Sequence, residues 1–223
     1  MESSQVLTFQ DAEIGYSAKS IFTHVNLSFP QNIFCRIHGP NGSGKTTIAR
    51  TMLGLLRLRK GIMKVYAQKR AYVPQQNKLD RQFPMRLAEL VETGFSFSFR
   101  QTFSKHQRKH RQEKVLAYLE KSGLAGKQDL LLKEASGGQL QRALIARALI
   151  ANPDFLVLDE PFSNLDKTGK IEIWDWLLAL HKEKQISIFI IDHHETGDLA
   201  GYTHELVTDF GSVQLLPIKR RKK

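Results

Sequence analysis

The chain has 223 residues, 41% of them hydrophobic and 25% charged, enough for a substantial core and ordinary for a globular domain. The single cysteine, Cys35, excludes an internal disulfide, and no apolar run is long enough to cross a bilayer. Lys and Arg (33) outnumber Asp and Glu (22), giving a formal charge of +11 that favours nucleic acid, anionic lipid or acidic ligands without choosing among them.

The opening "MESSQVLTFQ" lacks a basic start followed by an apolar stretch, so the protein is expected to stay where it is made. "VLTFQDAEIGY" (6–16) and "VNLSFPQNIFCRIHG" (25–39) are rich in β-branched and aromatic residues and read as strands. A helix is predicted from about 44, with apolar positions at Ile48, Met52, Leu53, Leu55 and Leu56. The middle, about 86–150, reads mostly helical through "RLAELVETG", "RKHRQEKVLAYLEKSG" and "QLQRALIARALIA". Two short apolar runs follow, "FLVL" (155–158) and "ISIFII" (186–191), separated by the helical "GKIEIWDWLLALHKE". Apolar strands alternating with helices imply a parallel sheet covered on both faces, with the helical middle inserted into an α/β core. No repeat or low-complexity linker interrupts the chain, and a single domain over 1–223 is expected. Positive charge gathers at "RQTFSKHQRKHRQEK" (100–114) and in the basic tail "KRRKK" (219–223); a solvated helix face and a frayed end are the favoured reading of the two.

"GPNGSGKTT" (39–47) satisfies G-x-x-x-x-G-K-[ST] between a predicted strand and a predicted helix, the context that confirms a phosphate-binding loop. Gly39, Gly42 and Gly44 let the backbone curl so that successive N–H groups face phosphate oxygens, with Pro40, Asn41, Ser43 and Thr47 completing the loop. Lys45 adds a point charge near the β- and γ-phosphates, and the Thr46 hydroxyl can ligate Mg²⁺. "FLVLDE" ends a buried strand in Asp159 and Glu160, at the sheet edge where α/β proteins bind ligands. There Asp159 can hold Mg²⁺ through water, and Glu160 can orient or deprotonate an attacking water. These runs imply a nucleoside triphosphate as ligand. A third stretch, "EASGGQLQRALIARAL" (134–149), sets a Ser-Gly-Gly turn before a helix and offers a second place for an anion.

Taken in order, "GPNGSGKT", "YVPQQ", "ASGGQLQR", "FLVLDEP", "SNLD" and "IIDHHE" resemble the ATPase subunits of ATP-binding cassette transporters over nearly the whole chain. The resemblance implies a P-loop NTPase core with a mainly parallel sheet, an N-terminal antiparallel β subdomain and an inserted helical subdomain. It implies ATP and Mg²⁺ as cofactors, and two copies pairing head to tail with ATP sandwiched between the phosphate loop of one and the signature turn of the other. Ser136, Gly137, Gly138 and Gln139 would thus complete the partner's site, which gives the second anion-binding turn its purpose. Gln75 would join the Mg²⁺ and water shell and sense the membrane partner. His193 would contact the γ-phosphate, Tyr16 would stack on adenine, and Asp166 would couple the two sites. The implied partners are a second copy, an integral membrane permease and an extracytoplasmic substrate-binding protein, at the cytoplasmic face of the membrane. No nucleic-acid partner is expected.

The sequence departs from the family pattern at three places. Ala135 stands where Leu is usual before the Ser-Gly-Gly-Gln run, Asn164 replaces the common Ala, and "DHH" offers His194 as a fallback for His193. His106 and His110 are spaced as helix metal ligands but lack Cys or acidic company, so no metal site is read there. "FSFSF" (95–99) alternates like a strand and fits core packing first and the transporter contact second. Few residues lie between Lys45 and Gln75, leaving little room for the strands usual in that region. This compactness, with Leu79-Asp80 and Phe83-Pro84 close behind, resembles the ATPases of zinc- and manganese-type uptake systems and implies import of a transition-metal ion. The alternatives are a non-metal cargo, or a non-transport cassette protein acting on nucleic acid or ribosomes, supported only by the positive charge.

Overall fold

The computed structural model describes residues 4–16, 19–76, 79–95, 105–163, 165–192 and 201–218, with no side-chain description for 105–107. Two compact units emerge. One comprises Met1–Tyr72, Asp154–Glu160 and Asp175–Lys223, and the other Val73–Pro153 and Pro161–Trp174.

The first unit opens with an antiparallel sheet. Strand β1 (Gln5–Tyr16) pairs with β2 (Lys19–Pro30) on one side and β4 (Lys60–Val65) on the other. Leu7, Phe9, Phe22 and Phe29 are buried on its inner face, as alternating side chains of a half-covered sheet require. The second sheet has the order β5-β6-β7-β3-β8-β9, built from β3 (Phe34–His38), β5 (Arg70–Val73), β6 (Phe155–Asp159), β7 (Ser187–Ile191), β8 (His204–Asp209) and β9 (Ser212–Pro217). Pairs β6–β7, β7–β3 and β3–β8 are parallel, and β8–β9 closes the edge as an antiparallel hairpin. Every residue of β6 and β7 is buried, which is why both read as continuous apolar runs. Phe29 meets Phe189 edge-on at 5.5 Å and Phe155 stacks on Phe189 at 4.8 Å, so both sheets share one core with Ile48 and Met52 of α1 (Lys45–Met52). On the opposite face, Phe34 stacks between His181 and Tyr202. Cys35 points into the core and is fully buried, which pushes its thiol pKa up.

The second unit carries α2 (Leu87–Glu92), α3 (Lys105–Lys121), α4 (Gly137–Leu149) and the start of α5 (Lys167–Lys184). Leu87, Leu90, Val115, Leu119, Leu140 and Leu144 are buried within it, the i, i+3, i+4 stripe expected of packed amphipathic helices.

Three details differ from the sequence reading. Helix α1 stops at Met52 rather than running through Leu56: Gly54 takes a left-handed φ of 75°, and Leu55 is 66% exposed. The short interval before Gln75 nonetheless holds two strands, β4 and β5, because α1 is itself short. Strands β8 and β9 carry no signal recognised in the sequence. Residues 96–99 of "FSFSF", Asn164, His193, His194 and the basic tail 219–223 lie outside the described residues.

Candidate nucleotide-binding site

Registers Asp159↔Ile191 and Ile37↔Ile191 bring the carboxyl ends of β6, β7 and β3 level at one edge of the sheet. The chain leaves β3 at His38 and curls through Gly39–Gly44 into α1. Gly39 has φ 148°, and a Cβ there would lie 2.0 Å from the Thr208 carbonyl oxygen, so no other residue fits. Thr208 fixes the loop from β8: its Oγ1 lies 2.6 Å from Ser43 Oγ and donates to His38 O at 3.2 Å. The helix N-cap, Gly44, is left-handed and no side chain caps it. The first-turn N–H groups of α1 therefore have no intrahelical acceptor, and the helix dipole adds a field suited to anions.

Lys45, 6% exposed, donates from Nζ to Gly39 O at 2.7 Å and Pro40 O at 2.9 Å, which holds its charge inside the loop. Burial lowers its pKa from the ordinary lysine value, against the pull of the Glu160 and Asp159 carboxylates. Asp159 is 2% exposed and accepts from the Tyr72 hydroxyl at 2.8 Å. Burial, then this bond and the carboxylate charge, push the Tyr72 phenol up, so it stays a donor. Glu160 follows with φ 50°, its N–H donating to Ile191 O at 3.0 Å. A left-handed glutamate is strained. Tyr16, 46% exposed, ends β1, and its carbonyl accepts from Arg59 Nη1 at 2.6 Å. These residues fit a nucleoside triphosphate: an uncapped glycine-rich helix start, a buried ammonium and an exposed aromatic ring in one unit. The Thr46 hydroxyl and the Asp159 carboxylate are oxygen donors of the kind Mg²⁺ takes.

The second unit holds the other group. Ser136 is the N-cap of α4: its Oγ accepts from Gln139 N at 3.2 Å, and Gln139 Oε1 accepts from Ser136 N at 2.9 Å. This reciprocal capping box satisfies two backbone donors without any ligand. Ser136, Gly137, Gly138 and Gln139 line one cleft of about 450 Å³ with Asp166 and the Arg142–Glu172 ion pair. Gln75 is half-buried in the same unit. Ala135 is buried, as a packing residue before the turn should be.

Every predicted site residue except His193 is described. Lys45, Thr46, Asp159, Glu160 and Tyr16 fall in the first unit, and Gln75, Ser136–Gln139 and Asp166 in the second. Sequence reasoning missed Tyr72, Gln76 and Arg81. Tyr72 lies three residues before Gln75 in "YVPQQ", and its neighbourhood was the available signal. Among the described residues no cluster of His, Cys, Asp and Glu could hold a metal ion, and no helix is long and apolar enough to cross a membrane.

A parallel sheet whose central strand feeds a glycine-rich loop, with an acidic pair ending a strand two places along, defines a phosphate-loop ATPase. Residues 22–163 match the ABC transporter family model, and the chain belongs to that family: it binds ATP and is an ATPase. A protein of Thermotoga maritima described as a metal transport system ATP-binding protein is 36% identical over 173 residues, covering 78% of this chain and 68% of that one. The zinc import ATP-binding protein ZnuC of Buchnera aphidicola is 30% identical over 190 residues, covering 85% and 74%. Among solved structures, an inward-facing transporter assigned to the metal-chelate type superposes with a TM-score of 0.84 at 24% identity, covering 96% of this chain and 84% of that one. The cbiO1 chain of the cbiONQ transporter complex, from Clostridium perfringens, gives 0.79 at 24% identity, covering 96% and 88%. These structural likenesses establish the fold.

Proposed function

We propose that this ATPase powers import of a transition-metal ion, zinc first and manganese second, through a separate integral membrane permease fed by an extracytoplasmic substrate-binding protein. The observation that carries the metal assignment is likeness to metal and zinc import ATP-binding proteins over most of the chain. The compact run from Gln75 through Leu79-Asp80 and Phe83-Pro84 supports it. The chain works at the cytoplasmic face of the membrane as a pair of copies, head to tail, each lending Ser136, Gly137, Gly138 and Gln139 to the other's nucleotide. In hydrolysis the oxygen of a water forms a bond to the γ-phosphorus and its proton passes to Glu160. The bond from that phosphorus to the bridging oxygen breaks, leaving ADP. Lys45 and the loop N–H groups stabilise the charge on the transferring group. Thr46 and Asp159 would hold Mg²⁺, which neutralises charge on the phosphates. Gln75 senses the permease, His193 contacts the γ-phosphate, Tyr16 stacks on adenine, and Asp166 couples the two sites.

Deleting the gene in a strain with no second metal importer should slow growth in chelator-treated medium, with rescue by added zinc. Unchanged growth with unchanged cellular zinc and manganese would remove the metal assignment while leaving the ATPase in place.

A further inference from the structure

Two side chains from the segment just after Gln75 grip the signature turn on both sides of Ser136. Gln76 is 6% exposed, and its Nε2 donates to Gly137 O and to Gln141 Oε1, each at 2.8 Å. Arg81 reaches in from an exposed position and donates from Nη2 to Ala135 O, and to Leu132 O at 3.5 Å. The carbonyls of residues 135 and 137 are the backbone acceptors immediately before and after Ser136. Next to the two clamp residues, Leu79 N donates to Gln76 O at 3.0 Å and Gln82 N to Asp80 Oδ1 at 2.9 Å. The capping box already fixes the Ser136 side chain relative to its own helix. The clamp fixes the turn relative to Gln76 and Arg81, so a shift of these two residues carries Ser136 with it.

We propose that Gln76 and Arg81 are positioning residues that set the aim of Ser136, so that the segment following Gln75 governs how this chain completes a second copy's nucleotide site. The inference rests on the head-to-tail pairing proposed above. It separates two steps: binding of ATP by a chain's own phosphate loop does not use the clamp, whereas closure of two copies on ATP does.

The test places Gln76→Met and Arg81→Met, singly, in a Glu160→Gln background that holds ATP without turnover. Three quantities are measured: affinity of the dilute chain for fluorescent mant-ATP, the ATP concentration needed for dimerisation by sedimentation velocity, and thermal melting. Mant-ATP affinity should stay within about twofold, while each variant should raise the ATP needed for dimerisation about tenfold, the size expected for losing a side-chain hydrogen bond that holds the turn. Arg81→Lys, which keeps a donor, should recover much of that loss. Unchanged dimerisation in both variants overturns the proposal, whatever the melting temperatures do. An equal loss of mant-ATP affinity also overturns it, because the damage is then general. If Glu160→Gln alone forms no ATP-dependent dimer, the head-to-tail reading fails and the clamp's role falls with it, a result visible before either clamp residue is changed. Should Gln76→Met give no cooperative melt, Gln76→Asn, one methylene too short to reach both acceptors, is judged by the same criteria.

Discussion

The starts of α1 and α4 are both glycine-rich turns entering a helix, and they treat the bare first-turn N–H groups in opposite ways. At α1 the N-cap is left-handed Gly44, no side chain caps it, and a Cβ there would lie 2.6 Å from the Phe22 ring. At α4 the N-cap is extended Ser136, a capping box is complete, and a Cβ on Gly138 would meet only Leu165 at 3.8 Å. The first turn leaves its donors for a ligand and is pinned by its surroundings. The second satisfies its Ser136 and Gln139 donors by itself, and its two glycines line the cleft. Glycine is therefore a folding requirement in one turn and a matter of access in the other.

The sharpest test lies beside the first turn. Glu160→Gln should cut phosphate release by about 10²-fold or more while sparing nucleotide affinity, the pattern of a lost general base. Turnover like that of the unaltered protein would take Glu160 out of that role. Next in size is a complementation assay that asks whether the two turns act on opposite chains. Lys45→Ala and Ser136→Arg homodimers should each be nearly inactive, whereas an equal mixture should regain part of the turnover, because heterodimers retain one intact composite site. A mixture as inactive as its parents means either that the turns do not complement or that both sites must fire together. Bound nucleotide per dimer separates those two outcomes.

The glycines test the comparison directly. Gly44→Ala should cost about 2–4 kcal/mol of stability through strain and crowding. Gly138→Ala should change stability by less than about 1 kcal/mol, in either direction, yet still lower ATPase activity. Equal melting shifts would erase the distinction between the turns. Tyr72→Phe removes the donor to Asp159 and should cost about 1–2 kcal/mol, read as a melting shift of about 2–4 °C per kcal/mol.

The smallest effect is expected at His204, whose pKa burial lowers below the ordinary 6.5. As pH falls through 6.5 the unfolded chain gains a proton before the folded one does, so stability is lost on acidification and regained above that value. His204→Gln should show a flatter melting-temperature profile between pH 7 and 5. An unchanged slope would mean that the folded and unfolded chains titrate alike there.

The phosphate loop, the acidic pair and the signature turn were legible because each is a contiguous run whose residue types suit one chemistry. The parallel core was legible because β6 and β7 are apolar throughout. Helix α1 was read too long because apolar spacing continues past Gly54, where the backbone turns left-handed. The hairpin β8–β9 escaped notice because "HELVTD" and "SVQLLP" mix polar residues with apolar ones along a partly exposed edge. Tyr72, Gln76 and Arg81 could not be read from local pattern. Their partners lie 87, 61 and 54 residues away, and only the fold brings them within reach.

The left-handed backbone of Glu160 has a consequence for anyone who engineers or evolves this chain. Glycine or asparagine at that position would relieve about 1–2 kcal/mol of backbone strain. A library selected for heat resistance alone should therefore drift away from glutamate there, while one selected for transport-linked growth should hold it. Position 160 would then be where robustness and turnover pull in opposite directions, and sequencing the two libraries side by side would display that conflict at a single codon.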